Sequence, residues 1–115
     1  MSRHEDVVRL GHMRDYAREA VQMASGCTIA DLPKNRMLNL ALVRLVEIVG
    51  EAANQVSDAR RSLHPEIPWA EIRGMRNRIV HGYDNINFRI LWDVVQLDLP
   101  PLIDTLERIL GEASA

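Results

Sequence analysis

The chain has 115 residues, 47% of them hydrophobic and 4% aromatic, which fits one domain over residues 1–115 with a largely aliphatic core. Its formal net charge of −2 excludes a protein that coats nucleic acid through bulk charge, so contacts with RNA or phosphate must be local. The single cysteine, Cys27, excludes an intrachain disulfide and a thiolate metal cluster. We expect it to be a small packing residue. Because the sequence shows no signal peptide and no apolar run of membrane-spanning length, we expect a soluble, cytoplasmic protein without membrane contacts.

Apolar residues recur at helical spacing from about Arg3 to Ser25, and Gly26 provides a stop signal. This pattern predicts the first helix. After a short connection in which Asp31 is a candidate cap, the pattern resumes from about Lys34 to Gln55 and predicts a long second helix.

The second helix carries more than one apolar stripe. Leu40, Val43 and Val46 lie outside its main stripe, which favours a second apolar partner such as another subunit. Between the apolar faces runs a polar row at spacings of three, four and three: Arg44, Glu47, Glu51 and Asn54. The ordinary interpretation of such a row is a solvated face.

A third helix is predicted from about Trp69 to His81, where Gly82 can end it in the left-handed conformation. The preceding segment, 57–64, is polar and can hold one short turn. Trp69 and Trp92 are typical packing anchors.

A fourth helix is expected after a cap at Asn85 or Asn87, with Pro100 and Pro101 kinking or dividing it before its end near Gly111. No strand alternation is present. The predicted fold is therefore an all-α, antiparallel four- to five-helix bundle that dimerises through helix faces.

The polar side of the third helix concentrates the chemistry of the chain. Its nine residues 73–81 contain three arginines and one histidine. On a helix, Arg73, Asn77 and His81 share a face, Arg76 flanks them, and Tyr83 can return to the side of Arg76.

These residue types suit phosphodiester chemistry. His81 can transfer protons near neutral pH, and the guanidinium of Arg76 can bind phosphate oxygens and stabilise developing charge. Attack by the 2′-hydroxyl of RNA on its neighbouring phosphate needs no metal and no cofactor. Since one histidine looks insufficient for both proton transfers, a dimer offers a way to complete the site. The alternative interpretation is a solvated helix face with an ordinary polar His81.

Other site classes find little support. His4, His12 and His64 are scattered, form no zinc-binding pair, and are expected at the surface. The sequence has no phosphate-binding loop ending in Lys-Ser/Thr and no Gly-x-Ser-x-Gly elbow, so the common nucleotidase and serine-hydrolase signals are absent.

The stretch from Arg76 to Tyr83 resembles the HEPN motif in its HepT-like version, which is Arg, a polar residue, a short spacer, His, any residue and Tyr. Further similarity to that family lies in four short segments: Ile67-Pro68-Trp69, Gly74-Met75-Arg76-Asn77, Gly50-Glu51-Ala52-Ala53, and Trp92 with Asp98-Leu99-Pro100. The resemblance thus spans most of the chain from the second to the fourth helix.

The resemblance implies a homodimeric helical bundle that acts as a metal-independent RNase, an endoribonuclease cleaving tRNA or mRNA. It also implies the toxin of a type VII-like toxin–antitoxin pair, whose usual partner is a minimal, MntA-like nucleotidyltransferase antitoxin. That partner adenylylates the motif tyrosine, which corresponds to Tyr83.

Carried over to this chain, the roles are phosphate binding for Arg76, proton transfer for His81 and orientation for Asn77. Arg73 and Arg78 would add substrate contacts. Glu47 and Glu51 stay outside the catalytic set, because the sequence does not show whether they reach the cleft. Two other functions remain open: a non-catalytic subunit that binds a nucleotide or a nucleotidyltransferase partner, and a helical dimer with only a structural role.

Overall fold

Three long helices form the body of the fold in this computed structural model, which describes residues 3–114 and the side chains of residues 4–112. They are α1 (Arg3–Ala24), α3 (Arg36–Gln55) and α8 (Leu99–Ser114), and the short α2 (Asp31–Lys34) joins the first two. Met1, Ser2 and Ala115, which the predicted domain includes, lie outside this range. The predicted all-α bundle is confirmed.

The core lies between α1, α3 and α8, where each helix buries an aliphatic face. Fully buried side chains from the three helices include Leu10, Met13, Leu42, Val49 and Leu106. Val46, predicted on an outer face of its helix, is also fully buried, so that part of the prediction is wrong. The predicted packing role of the tryptophans is confirmed, because Trp69 and Trp92 pack against this core.

The beginning of α3 is defined by a side-chain cap. The Asn35 Oδ1 accepts a hydrogen bond from the Leu38 amide at 3.0 Å, so α3 begins at Arg36 rather than at Lys34. Asp31, the predicted cap, instead accepts from the Thr28 amide at 2.7 Å and closes the connection before α2. Cys27 in this connection is half-buried and packs against the core, as expected.

The ends of α1 and α3 meet through a buried carboxylate. Asp6, which is 4% exposed, accepts hydrogen bonds from the Ser57 amide at 2.9 Å and from the Ser57 hydroxyl at 2.7 Å. Since Asp6 is near the start of α1 and Ser57 follows the end of α3, the two helices run antiparallel. Ser57 also caps the predicted short turn, which is α4 (Asp58–Ser62).

The single helix predicted from Trp69 to His81 is wrong. The segment forms α5 (Trp69–Arg73), a break at Gly74, α6 (Met75–Ile79) and the strand β1 (Val80–His81). Gly74 has φ −98° and ψ 1°, outside helical geometry, and glycine is a poor helix former. Val80 is β-branched and buried, which favours an extended backbone.

A small antiparallel hairpin replaces the end of the predicted helix. Strand β2 (Asn85–Ile86) pairs with β1, with Val80 opposite Ile86 and His81 opposite Asn85. Gly82 has φ +72°, so its predicted left-handed conformation is confirmed, but it begins the hairpin turn instead of ending a helix. The Asn87 amide donates to the Ile79 carbonyl at 2.7 Å and closes the base of the hairpin.

Asn87 caps α7 (Phe88–Asp93) through its side chain, which selects between the two predicted caps. A π-helical turn, Val94–Asp98, separates α7 from α8, with the Leu99 amide bonded to the Val94 carbonyl. Pro100 and Pro101 lack amide hydrogens for the carbonyls of this turn, which accounts for the predicted division of the helix. Helix α8 continues beyond Gly111, its predicted end. None of the helices within residues 3–114 has the length and apolarity needed to cross a membrane.

Candidate functional site

A glycine lets α5 approach α3 at close range. A Cβ atom placed on Gly50 would lie 3.0 Å from the carbonyl oxygen of Ile72, which is tighter than nine in ten real Cβ contacts. Any larger residue at position 50 would therefore push the two backbones apart. This contact determines how closely α5, and the following α6, approach the polar row of α3.

Arg76 on α6 points at that polar row. Its Nε lies 3.6 Å from Oε2 of Glu47, while Oε1 of Glu47 accepts from Nη1 of Arg44 at 2.6 Å. The same Nη1 atom lies 3.5 Å from Glu51. Glu47 is half-buried between two guanidinium groups, so the row is not simply a solvated face. The ion pair with Glu47 raises the pKa of Arg44 above its already high value.

Two cavities flank Arg76 and share Glu47. The first, which we name the polar cavity, is lined by Glu47, Gly50, Glu51, Asn54, Arg73, Arg76 and Asn77. The second, which we name the tyrosine cavity, is lined by Arg36, Leu40, Val43, Arg44, Glu47, Arg76, Val80, Tyr83, Asp84 and Ile86. Arg76 therefore forms the boundary between a polar and a partly apolar recess.

The hairpin carries the other motif residues. His81 is exposed on β1 and lines neither cavity. The predicted face of Arg73, Asn77 and His81 holds for the first two residues but not for His81, because the helix ends at Ile79. Tyr83 lies in the turn between the strands with 91% of its surface exposed, and it lines the tyrosine cavity together with Arg76.

Arg78 points away from Arg76. It lines a third cavity together with Glu71, Met75 and Asp98, among residues of α5, α6 and the π-helical turn. The structure thus brings Arg73, Arg76 and Asn77 together and places Arg78 elsewhere.

Two further arginines of α3 join the site, and the sequence interpretation missed their proximity to the motif. Arg36 and Arg44 line the tyrosine cavity with Arg76. A signal was present in the spacing, because Arg36, Leu40, Val43 and Glu47 follow one another at intervals of four, three and four and share one helix face.

The remaining histidines divide into two kinds. His4 and His12 are exposed, as expected. His64 is expected at the surface but is half-buried, and its buried Nε2 atom has no hydrogen-bond partner in the part of the chain that the structure describes. Burial lowers the pKa of His64, and the positive charge of Arg60 acts in the same direction. Among the described residues, no group of three or more His, Cys, Asp or Glu side chains is arranged to hold a metal ion.

Comparison with known proteins identifies the family. Residues 13–109 match the family described as ribonuclease HepT-like. The chain belongs to the HepT-like ribonuclease family. The family and the ribonuclease class of enzyme predicted from the motif are thereby confirmed.

Individual relatives agree with this assignment. A candidate RNase of Caldanaerobacter subterraneus is 33% identical over 101 residues, which cover 88% of this chain and 90% of the relative. A Thermococcus cleftensis protein named for ribonuclease HepT is 32% identical over 102 residues, covering 85% and 92% of the two chains. A candidate RNase of Methanocaldococcus jannaschii is 28% identical over 109 residues, covering 95% and 100%. No solved structure matched this HepT-like chain significantly.

Proposed function

We propose that this HepT-like ribonuclease is a toxin that cleaves RNA without a metal ion, through Arg76 and His81. The observation that carries the proposal is the position of Arg76 between two open cavities, with Asn77 and Arg73 on one side and Tyr83 on the other. A strand of RNA can cross such a boundary with a phosphate at the guanidinium. Arg76 has a fixed charge and planar donors that match phosphate oxygens.

In the proposed reaction, an imidazole of His81 removes the proton of a ribose 2′-hydroxyl, whose oxygen attacks the adjacent phosphorus. The bond between phosphorus and the 5′-oxygen breaks, and a second imidazole protonates the departing oxygen. The products are a 2′,3′-cyclic phosphate and a 5′-hydroxyl. Arg76 stabilises the extra negative charge on the phosphorane oxygens.

A homodimer would supply the second imidazole. Support comes from Met37, which follows Arg36 of the tyrosine cavity on α3 and is 84% exposed. Large exposed apolar side chains on one face are typical of protein interfaces. Two copies that met around this face would bring both His81 residues, exposed on their hairpins, towards one cleft.

The cleavage proposal is tested by incubating purified protein with tRNA in EDTA and comparing wild type with Arg76→Ala and His81→Ala. We expect cleavage by wild type and loss of at least about a hundredfold in each variant. Arg78→Ala is the matched control, because Arg78 faces the third cavity. Equal activity in wild type and His81→Ala would contradict the proposal, as would cleavage that requires an added metal.

Tyr83 is the proposed site of control by a minimal nucleotidyltransferase antitoxin. Its phenol oxygen would attack the α-phosphorus of ATP and lose its proton as pyrophosphate leaves, which places an adenylyl group on the hairpin. The exposure of Tyr83 suits access by an enzyme, and the added charge and bulk would enter the tyrosine cavity beside Arg76.

Co-expression with a nucleotidyltransferase encoded beside the gene, followed by mass spectrometry, tests this control. We expect adenylyl groups on Tyr83 in wild type, and growth inhibition that the partner relieves. Tyr83→Phe should stay toxic in the presence of the partner, because the modified oxygen is missing. Adenylylation at another residue would contradict the assignment. Expression without the partner separates the toxin from a non-catalytic binding subunit, which would not inhibit growth.

A further inference from the structure

The tyrosine cavity combines three guanidinium groups with an apolar wall. Arg36 and Arg44 come from α3 and Arg76 from α6, while Leu40, Val43 and Ile86 provide aliphatic surface. Arg36 lies 40 residues before Arg76 in the sequence, so folding creates this positive group. The other charged lining residues are Glu47 and Asp84.

Arg36 and Arg44 each have N–H donors that are not used in contacts among the described residues and can bind a ligand. Arg36 donates from Nη1 to the neutral amide oxygen of Asn39 at 3.2 Å and forms no ion pair with the side chains of residues 4–112, so none of these neutralises its charge. Arg44 uses the same Nη1 atom towards both Glu47 and Glu51, which leaves Nε and Nη2 unused. An anion in the cavity would therefore meet oriented donors from two arginines beside Arg76.

We propose that the tyrosine cavity is a subsite for one nucleotide of the RNA substrate, next to the phosphate that Arg76 holds. Arg36 and Arg44 bind the neighbouring phosphate, and the base lies against Leu40, Val43 and Ile86 with the ring of Tyr83 at its edge. This inference rests on the proposed RNase function. Bases offer an apolar face that stacks or packs without regard to sequence, so the subsite provides affinity and strand position.

The size and charge of the cavity favour one nucleotide of a strand. Its volume of about 210 Å³ is below the range of roughly 300–1,000 Å³ that is common for small-molecule pockets. Its three guanidinium groups outnumber its two carboxylates, in a chain whose formal net charge is −2. Local positive charge on an acidic protein indicates an anionic ligand.

The test measures binding of a fluorescent single-stranded RNA hexamer to the cleavage-deficient His81→Ala protein at several salt concentrations. We expect Arg36→Gln, added to this background, to weaken binding about three- to tenfold. It should also reduce the slope of log affinity against log salt by about 0.7, the value for one lost phosphate contact on a single strand. Arg36→Lys should keep the slope and lose part of the affinity.

Arg89→Gln is the matched control, because Arg89 is an exposed arginine that pairs with Asp93 on α7 and lines neither cavity beside Arg76. It should leave the slope unchanged. Leu40→Ser tests the apolar wall against hexamers with a single abasic position. The loss of affinity caused by Leu40→Ser should disappear when the abasic site is at one position of the hexamer. It should persist when the abasic site is at any other position.

Three results would overturn the subsite. The first is an unchanged slope of log affinity against log salt in Arg36→Gln, and the second is an equal change of that slope in Arg89→Gln. The third is that a cavity variant loses the dimer in sedimentation while its RNA affinity is unchanged. The last result would identify the cavity as a contact between two copies. Cleavage is scored separately in proteins that keep His81. If wild type binds the hexamer through Arg36 but cleaves no RNA, the proposed chemistry fails and the subsite stands.

Discussion

The Nε atom of Arg76 lies 3.6 Å from Oε2 of Glu47, and this ion pair lies at the junction of the two cavities. The Nη1 atom of Arg76 lies 3.5 Å from Oδ1 of Asn77. We expect Glu47 to position Arg76 and also to reduce the positive charge that an RNA strand would meet. These two effects act in opposite directions on catalysis and on binding.

Glu47→Gln should therefore lower kcat and KM together in RNA cleavage. Loss of the carboxylate charge frees the Arg76 side chain, which we expect to lower kcat about two- to fivefold, the scale of an exposed ion pair. The same loss strengthens attraction of RNA and lowers KM. Glu51→Gln is the control, because the ion pair of Glu51 within the described residues is with Arg44, at 3.5 Å, and not with Arg76. An equal fall in kcat in both variants would contradict a positioning role for Glu47.

Gly50→Ala should destabilise the fold. The added Cβ would meet the Ile72 carbonyl at 3.0 Å, and we expect this overpacking to cost about 1 kcal/mol or more in the free energy of unfolding. Gly11→Ala is the matched control in α1, where a Cβ meets nothing within 4 Å. It should stabilise by about 0.5–1 kcal/mol through helix propensity. Urea unfolding measures both, and stabilisation of both variants would refute the close contact.

Asp6→Ala should cost about 1.5–3 kcal/mol in unfolding free energy, because it removes two hydrogen bonds to a buried carboxylate. Burial raises the pKa of Asp6, but the bonds from Ser57 and the charge of Arg60 outweigh burial, so the net pKa is lowered. The stabilisation is thus present above the unfolded value of about 3.9 and is lost as pH falls through the lower folded value.

Urea unfolding from pH 7 down to pH 2 should show the difference between wild type and Asp6→Ala shrinking at the acid end. Asp15→Ala is the control, since Asp15 is exposed and pairs with its neighbour Arg14. A difference that stays constant below pH 4 would show that Asp6 is not the ionised partner of Ser57.

His64 should make the fold sensitive to mild acid. Burial lowers its pKa in the folded state, so the unfolded chain binds the proton more readily. Stability should therefore fall as pH drops below about 6.5, until the folded imidazole is itself protonated. His64→Gln should reduce this pH dependence between pH 7 and pH 5, and His12→Gln, at an exposed position, should not. Chemical unfolding at fixed pH values measures the pH dependence of stability in both variants.

The long helices were predictable because their apolar periodicity persists over many turns. The first helix was expected from about Arg3 to Ser25 and is found from Arg3 to Ala24, and the second ends at Gln55 as expected. Gly26 was recognised as a stop, and it has φ +79°. Local signals of this kind need no knowledge of the rest of the chain.

The hairpin was missed because its determinants are not local. Val80 and His81 are too few to show strand alternation, and their conformation depends on pairing with Ile86 and Asn85. The break at Gly74 follows a segment whose position depends on contact with Gly50 of α3. The proximity of Arg36 to the site was missed for the same reason. The packing of α6 and the hairpin on α3 brings Arg76 and Tyr83 close to Arg36.

The junction between α6 and β1 lies between Arg76 and His81. The two residues belong to different elements, and the Asn87 amide bonded to the Ile79 carbonyl at 2.7 Å clamps the strands at the point where they leave the helices. The turn beyond the strand pair contains Tyr83 but neither Arg76 nor His81. We therefore expect a change confined to the phenol to leave the backbone of α6 and of the strand pair in place. The proposed modification at this tip would then act on a part of the chain that is separate from the proposed chemistry.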